Sequence, residues 1–99
     1  MARVETRVHD AADYIETSED AVLHLEAAFE DGDPRVIAEM LGAVARSKGM
    51  SQVAEATGLS RESLYRALSA KGNPTLSTTL RVLKALGLRL TVAEPRSVA

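Results

Sequence analysis

The chain contains no cysteine and no tryptophan, and its 99 residues include only one phenylalanine and two tyrosines. Without cysteine it can form neither disulfides nor thiolate metal sites. His9 and His24 are the only histidines. Two histidines without suitable neighbouring residues do not predict a metal or catalytic site. The sequence also shows no nucleophile–base pair and no phosphate-binding loop, so we expect no enzyme activity, no metal and no cofactor.

Long apolar runs are also missing. No stretch approaches the roughly 20 apolar residues that span a bilayer, and there is no signal-peptide pattern. We therefore expect a cytoplasmic protein with no membrane partner. Hydrophobic residues make up 45% of the chain, but the scarcity of aromatics leaves Leu, Val, Ile and Ala to fill the core, which favours helices. Ninety-nine residues fit one small domain.

The segment 50–69 predicts two short helices joined by a tight turn. Gly58 can adopt the left-handed conformation that ends the first helix, and Ser60 can cap the second. Ala54 is small enough to let the helix axes approach. The apolar interior comes from Val53, Leu59, Leu64, Ala67 and Leu68. This pattern indicates a helix-turn-helix whose second helix enters the DNA major groove, although a helical hairpin in a small bundle is the alternative.

Polar and basic residues mark the opposite side of this motif. Arg61 lies at the N-terminal end of the second helix and can donate two hydrogen bonds to guanine. Glu62 either accepts from cytosine or holds Arg66 one turn later. Tyr65 either contacts DNA or packs on the loop that follows. The predicted DNA-binding residues are Ser51, Gln52, Ser60, Arg61, Glu62, Tyr65, Arg66 and Lys71.

The net charge of −2 conceals a strong asymmetry. Residues 1–33 carry two arginines against ten carboxylates, a balance of −8, and residues 34–99 carry ten basic against four acidic residues, a balance of +6. Binding to a nucleic acid depends more on the electrostatic field at the binding surface than on the net charge of the whole protein. We therefore expect an acidic N-terminal extension over 1–33 and a DNA-binding unit over 34–99, together forming one compact domain.

The acidic extension contains one predicted helix. Ser18 is the expected N-cap, and Val22, Leu25 and Phe29 recur at helical spacing up to the break at residues 31–33. This apolar stripe either packs on the rest of the domain or docks a protein partner. The next helix begins at Pro34.

Another helix is predicted from Thr75 to Leu86. The leucines expected to face inward are Leu76, Leu80, Leu83 and Leu86. After it, Leu88, Leu90 and Val92 alternate with polar residues, which indicates a strand. A single strand is not stable alone, and no other segment is a good strand. We therefore expect it to pair across a homodimer, with the sheet edge of another protein as the alternative.

Several short motifs closely resemble the probable addiction-module antidote proteins, which are HigA-like antitoxins with a lambda-repressor-type helix-turn-helix. The matching segments are Asp31-Gly32-Asp33-Pro34, Met50-Ser51-Gln52, Gly58-Leu59-Ser60-Arg61-Glu62, Leu64-Tyr65-Arg66-Ala67-Leu68, Gly72-Asn73-Pro74 and Lys84-Ala85-Leu86-Gly87-Leu88. The resemblance extends from about residue 10 to residue 92. We expect an all-α bundle of about five helices, with an N-terminal helical extension and one short C-terminal strand.

The resemblance implies two activities. Such proteins bind and silence a small, basic toxin of the RelE/ParE superfamily, and they repress their own operon by binding its palindromic operator DNA as dimers. Opposite charge would steer a basic toxin to the acidic region. The expected toxin-binding residues are Tyr14, Ile15, Glu16, Glu19 and Asp20. The alternative is a free-standing phage-type repressor without a toxin partner.

Overall fold

The computed structural model describes residues 10–95, and all regular secondary structure in that range is helical. A short 3₁₀ helix, Ala11–Tyr14, precedes five α-helices. The α-helices are α1 (Ser18–Asp31), α2 (Pro34–Lys48), α3 (Met50–Thr57), α4 (Arg61–Ala67) and α5 (Leu76–Ala85). This confirms the prediction of an all-α fold with five helices. His9 and the first residues of the acidic extension lie outside the described residues.

The start of α1 is fixed by Thr17 rather than by the predicted cap, Ser18. The N–H of Asp20 donates to the Thr17 hydroxyl at 3.1 Å, and the Asp20 carboxylate accepts from the N–H groups of Thr17 and Glu16. This reciprocal exchange requires an acceptor side chain three residues after the cap. Ser18 would need it at position 21, which is alanine, so the helix begins one residue earlier than a Ser18 cap implies.

Helix α2 lies at the centre of the fold and contacts α1, α3, α4 and the 3₁₀ helix. Its buried residues are mostly small, which lets neighbouring helices approach on several sides. They are Ala38, Leu41, Gly42, Ala43, Val44 and Ala45. Ile15 and Leu25 join the same apolar core as Leu64 and Leu83, so the acidic extension and the predicted DNA-binding unit share one interior.

The inner face of the last helix is only partly the one predicted, since Leu83 is buried and Leu86 packs against the core as expected. Leu76 and Leu80 are exposed, whereas Val82 and Leu83 are buried. In the N-terminal half of the helix, Thr78 and Thr79 are half-buried instead. Thr79 donates its hydroxyl to the backbone carbonyl of Thr75 at 2.9 Å. A threonine bonded to its own helix can face the protein without leaving a polar group unpaired.

No strand occurs among residues 10–95, so the predicted C-terminal strand is wrong for the described chain. Instead, Gly87 takes a left-handed conformation, with φ of 78°, and the Leu88 N–H donates to the Leu83 carbonyl at 2.8 Å. Leu88 thereby packs against the core, while Leu90 and Val92 are exposed. A strand needs the backbone groups of a neighbour, and no other described segment offers them.

Three aspartates in this framework make the fold sensitive to acid. A hydrogen bond from Arg46 lowers the pKa of Asp10, and backbone N–H groups lower the pKa of Asp20 and of Asp33. A lowered folded-state pKa gives stability that is present at neutral pH and is lost as the pH falls below about 4, through the folded values. We expect denaturant midpoints to fall between pH 7 and pH 3.

The variant Asp20→Asn should show a smaller fall over that interval, because its side chain no longer titrates. Glu19→Gln is the matched control, since Glu19 is exposed in the same helical turn and its carboxylate, unlike that of Asp20, does not take part in the hydrogen bonds at the helix start. It should lose stability on acidification as the wild type does. Equal falls for wild type and Asp20→Asn would contradict the assignment.

Candidate functional site

Helices α3 and α4 are joined by the three residues Gly58, Leu59 and Ser60. Gly58 has φ of 77°, and its N–H donates to the Ala54 carbonyl at 2.9 Å, which closes the first helix. The N–H of Ser63 donates to the Ser60 hydroxyl at 3.0 Å, which caps the second. The turn between the two helices therefore lies where the sequence predicts it, and Gly58 and Ser60 form it as expected.

A third residue, Thr57, holds this turn and was not recognised from the sequence. It is the buried polar residue of the described chain, and its hydroxyl donates to the Val53 carbonyl at 2.8 Å. The same oxygen accepts from the N–H of Leu59 at 3.2 Å. One hydroxyl thus links the last turn of α3 to the residues that lead into α4. The available signal was a threonine directly before the turn glycine.

The orientation of α4 is set by two leucines on its inner face. Leu64 is completely buried and Leu68, one turn later, is 3% exposed. Their burial directs the other side of the helix to solvent, where Arg61, Glu62, Tyr65 and Arg66 are exposed. The four residues predicted to contact DNA from this helix are therefore brought to one accessible surface.

Tyr65 is 46% exposed and borders a cavity of about 480 Å³. The 3₁₀ helix, α2, α4 and the residues directly after α4 line this cavity, so part of the ring remains accessible to a partner. The guanidinium carbon of Arg61 lies 6.0 Å from the centre of its ring, at the limit of a cation–π contact. The ring therefore lies beside Arg61 at the exposed start of α4. No ion pair joins Glu62 to Arg66 within the described structure.

The remaining predicted DNA-binding residues lie outside α4 and are also exposed. Ser51 and Gln52 are exposed in the first turn of α3, whose N-terminus has no side-chain cap. Uncapped N–H groups at a helix start can donate to phosphate. Lys71 is exposed in the loop that follows α4. Ser60 is exposed as well, although its hydroxyl already serves as the cap of α4.

The five predicted toxin-binding residues do not share one environment. Tyr14 is 59% exposed, and Glu16 and Glu19 are exposed, but Ile15 is 7% exposed and belongs to the core. The Asp20 carboxylate is occupied by the start of α1. Burial of Ile15 assigns its side chain to packing, so a partner can contact this segment only through its neighbours.

An ion pair between Asp10 and Arg46 ties the N-terminal segment to α2. The guanidinium donates to the Asp10 carboxylate at 2.7 Å, across 36 positions of sequence. Both side chains are about one-third exposed, which limits the stabilisation expected from the pair. Asp10 and Arg46 also line the cavity that Tyr65 borders, so the acidic segment reaches the immediate neighbourhood of α4.

Residues 10–95 hold no cluster of three or more histidine, aspartate or glutamate side chains arranged to bind a metal ion. None of the helices described there is both long enough and apolar enough to cross a membrane.

The chain is similar in sequence to a known protein family and to a bacterial protein. The family model of the "Probable addiction module antidote protein" matches residues 5–94. An uncharacterized protein of Haemophilus influenzae (strain ATCC 51907 / DSM 11121 / KW20 / Rd) is 40% identical over 87 residues, which are 88% of this chain and 90% of that protein. No solved structure matches the chain. On the extent of the family match and of this relative, the chain belongs to the family of probable addiction module antidote proteins.

Proposed function

We propose that this protein is the antitoxin of a type II toxin–antitoxin module, which neutralises a RelE/ParE-superfamily toxin and represses its own operon by binding operator DNA. Membership of an antidote family supports a toxin partner. The DNA-binding part of the proposal rests on the exposed face of α4. This helix follows a tight turn, and the burial of Leu64 fixes its orientation.

The geometry fits the way a helix-turn-helix reads DNA. The N-terminal residues of the second helix contact base edges, and the first helix lies across the phosphate backbone. Arg61 occupies the first of these positions, and Ser51 and Gln52 occupy the start of the first helix. The charge of +6 over residues 34–99 supplies the attraction to phosphate that such binding needs.

Binding as a homodimer would match a palindromic operator, with half-sites about 34 Å apart. The C-terminal part of the chain offers apolar surface for a second copy, since Leu90 and Val92 are exposed. Leu88 is half-buried and packs against the core, so it would support such a surface from behind.

The test is selection of binding sites from a random DNA pool. Arg61→Ala should weaken binding to the selected site by about 1–3 kcal/mol and relax preference at one base pair, because a bidentate contact to guanine is lost. Arg35→Ala is the matched control. Arg35 is exposed and paired with Asp33 at 3.3 Å, at the boundary with the acidic extension. It should leave the selected sequence unchanged and weaken binding much less than Arg61→Ala.

If Arg61→Ala selects the same sequences with the same affinity as wild type, α4 does not read bases through this residue. If the wild type selects no sequence at all, the operator-binding half of the proposal is wrong.

A further inference from the structure

One side of α1 carries apolar and acidic side chains together on the solvent-facing surface. We name this surface the outer face of α1. It consists of Glu19, Val22, Leu23, Glu26, Phe29 and Glu30, all of which are exposed. Their spacings of three, one, three, three and one place them along one side of an α-helix.

The packing of α1 accounts for this face. Ala21, Leu25 and Ala28 are its buried residues and lie on the side that packs against α2. Val22 and Phe29 follow at the edge of that contact and remain 37% and 38% exposed. Leu23 points further out and is 64% exposed, so the intramolecular contacts of the helix leave most of its side chain uncovered.

Glutamates are interleaved with these apolar side chains. Glu19 and Glu26 make no ion pair with any described residue, in contrast to Asp20, whose carboxylate is bound to the backbone at the start of the helix. The outer face therefore combines uncovered apolar area with negative charge available to an incoming molecule. An amphipathic helix presenting side chains at such spacings is a recurrent docking element.

The charge selects among possible occupants. DNA and anionic lipid carry negative charge and would be repelled. A second copy meeting this face about a two-fold axis would bring the same glutamates against each other. A protein with a basic rim around an apolar patch would complement both the negative charge and the apolar area of the outer face.

We propose that the outer face of α1 is the surface on which the toxin docks, with Leu23 as its central apolar contact and Glu19 and Glu26 steering a basic partner. This inference rests on the proposed antitoxin function and identifies the surface that performs it. It moves the contact along the helix from the Tyr14–Asp20 segment, where Ile15 is buried and Asp20 is occupied.

The probe is the toxin released by denaturation from the complex that co-purifies with the tagged wild-type chain, identified by its ability to arrest growth when expressed alone. Leu23→Ala should raise the Kd of the refolded toxin at least tenfold, mainly through faster dissociation, as is typical for a central apolar contact. Leu76→Ala is the matched control, because Leu76 is an equally exposed helical leucine at 66%. Its Kd should equal that of wild type.

A second pair of variants tests the charge. The double variant Glu19→Lys/Glu26→Lys should slow association roughly tenfold at low salt, with the difference shrinking at high salt. The control is Glu39→Lys/Glu55→Lys, which changes the net charge by the same amount at exposed glutamates of α2 and α3. It should retain a faster association rate than the α1 double variant.

The outcomes separate the two proposals. If no growth-arresting protein is bound by the wild type, the antitoxin function itself fails. If the toxin binds but Leu23→Ala and Leu76→Ala are indistinguishable, the function stands and this surface is wrong. A change in the molecular mass of the free protein on Leu23→Ala would show self-association through the face and overturn the inference. Circular dichroism should confirm that each α1 variant is folded, and Leu23→Ala should bind DNA with the affinity of wild type.

Discussion

Leu64→Ala should destabilise the protein by about 2–5 kcal/mol and abolish sequence-specific DNA binding at moderate temperature. Leu64 is completely buried and lies on the inner face of α4. Truncation removes apolar area from the core and leaves a cavity that the surrounding helices fill only in part. A domain of this size is commonly stable by only about 5–15 kcal/mol, so a large share of the folded state would be lost.

Urea denaturation followed by circular dichroism measures this loss, and Leu76→Ala supplies the control. Leu76 is a helical leucine that the core does not enclose, so its truncation should change the free energy of unfolding by no more than about 0.5 kcal/mol. A loss below about 1 kcal/mol for Leu64→Ala would mean that α4 is not anchored by this side chain. Its exposed face would then lack the fixed orientation that base reading needs.

Gly42→Ala should also destabilise the fold, by at least about 1–3 kcal/mol, although helix propensity alone predicts the opposite sign. Gly42 lies within α2, where alanine is normally preferred to glycine by about 1 kcal/mol. A Cβ at this position would fall 2.3 Å from the backbone carbonyl oxygen of Leu68, at the end of α4. That oxygen cannot rotate away, so α2 and the end of α4 would have to separate.

The sign of the change in the free energy of unfolding shows whether helix propensity or the overlap with the Leu68 carbonyl oxygen has the larger effect. Glu39→Ala, at an exposed position of the same helix, should alter the free energy of unfolding by less than about 0.5 kcal/mol. If Gly42→Ala raises the denaturation midpoint, propensity has prevailed and the two helices do not approach as closely as described. Lowered stability with weakened DNA binding would show that the contact positions α4.

The parts of this fold that the sequence predicts are those encoded by neighbouring residues. Gly58, Ser60 and the pair Leu64 and Leu68 lie within eleven positions, and each acts on the backbone or face next to it. Turn chemistry, capping and helical period are local, so they can be read without knowing the rest of the fold. Once Leu64 and Leu68 are assigned to the core, helical geometry identifies the residues of α4 that are exposed.

The features that could not be predicted depend on what packs against a segment. Nothing near Gly42 in the sequence reveals that Leu68 approaches it, and Asp10 and Arg46 are separated by 36 positions. The period of α5 is compatible with an inward-facing Leu76, but Leu76 is exposed and threonines are half-buried in that half of the helix instead. The alternation of apolar and polar residues over 88–92 is compatible with a strand, but a strand also needs a neighbouring strand with which to pair.

The common interior of Ile15, Leu25 and Leu64 has a consequence for how the proposed activities are lost. A small domain with one core commonly unfolds in a single cooperative transition. Under the proposed function, any event that opens this core, whether heat, a mutation or a protease acting on the open form, removes toxin capture and operator binding together. The two activities therefore have the same lifetime, and release of the toxin coincides with renewed transcription of the operon.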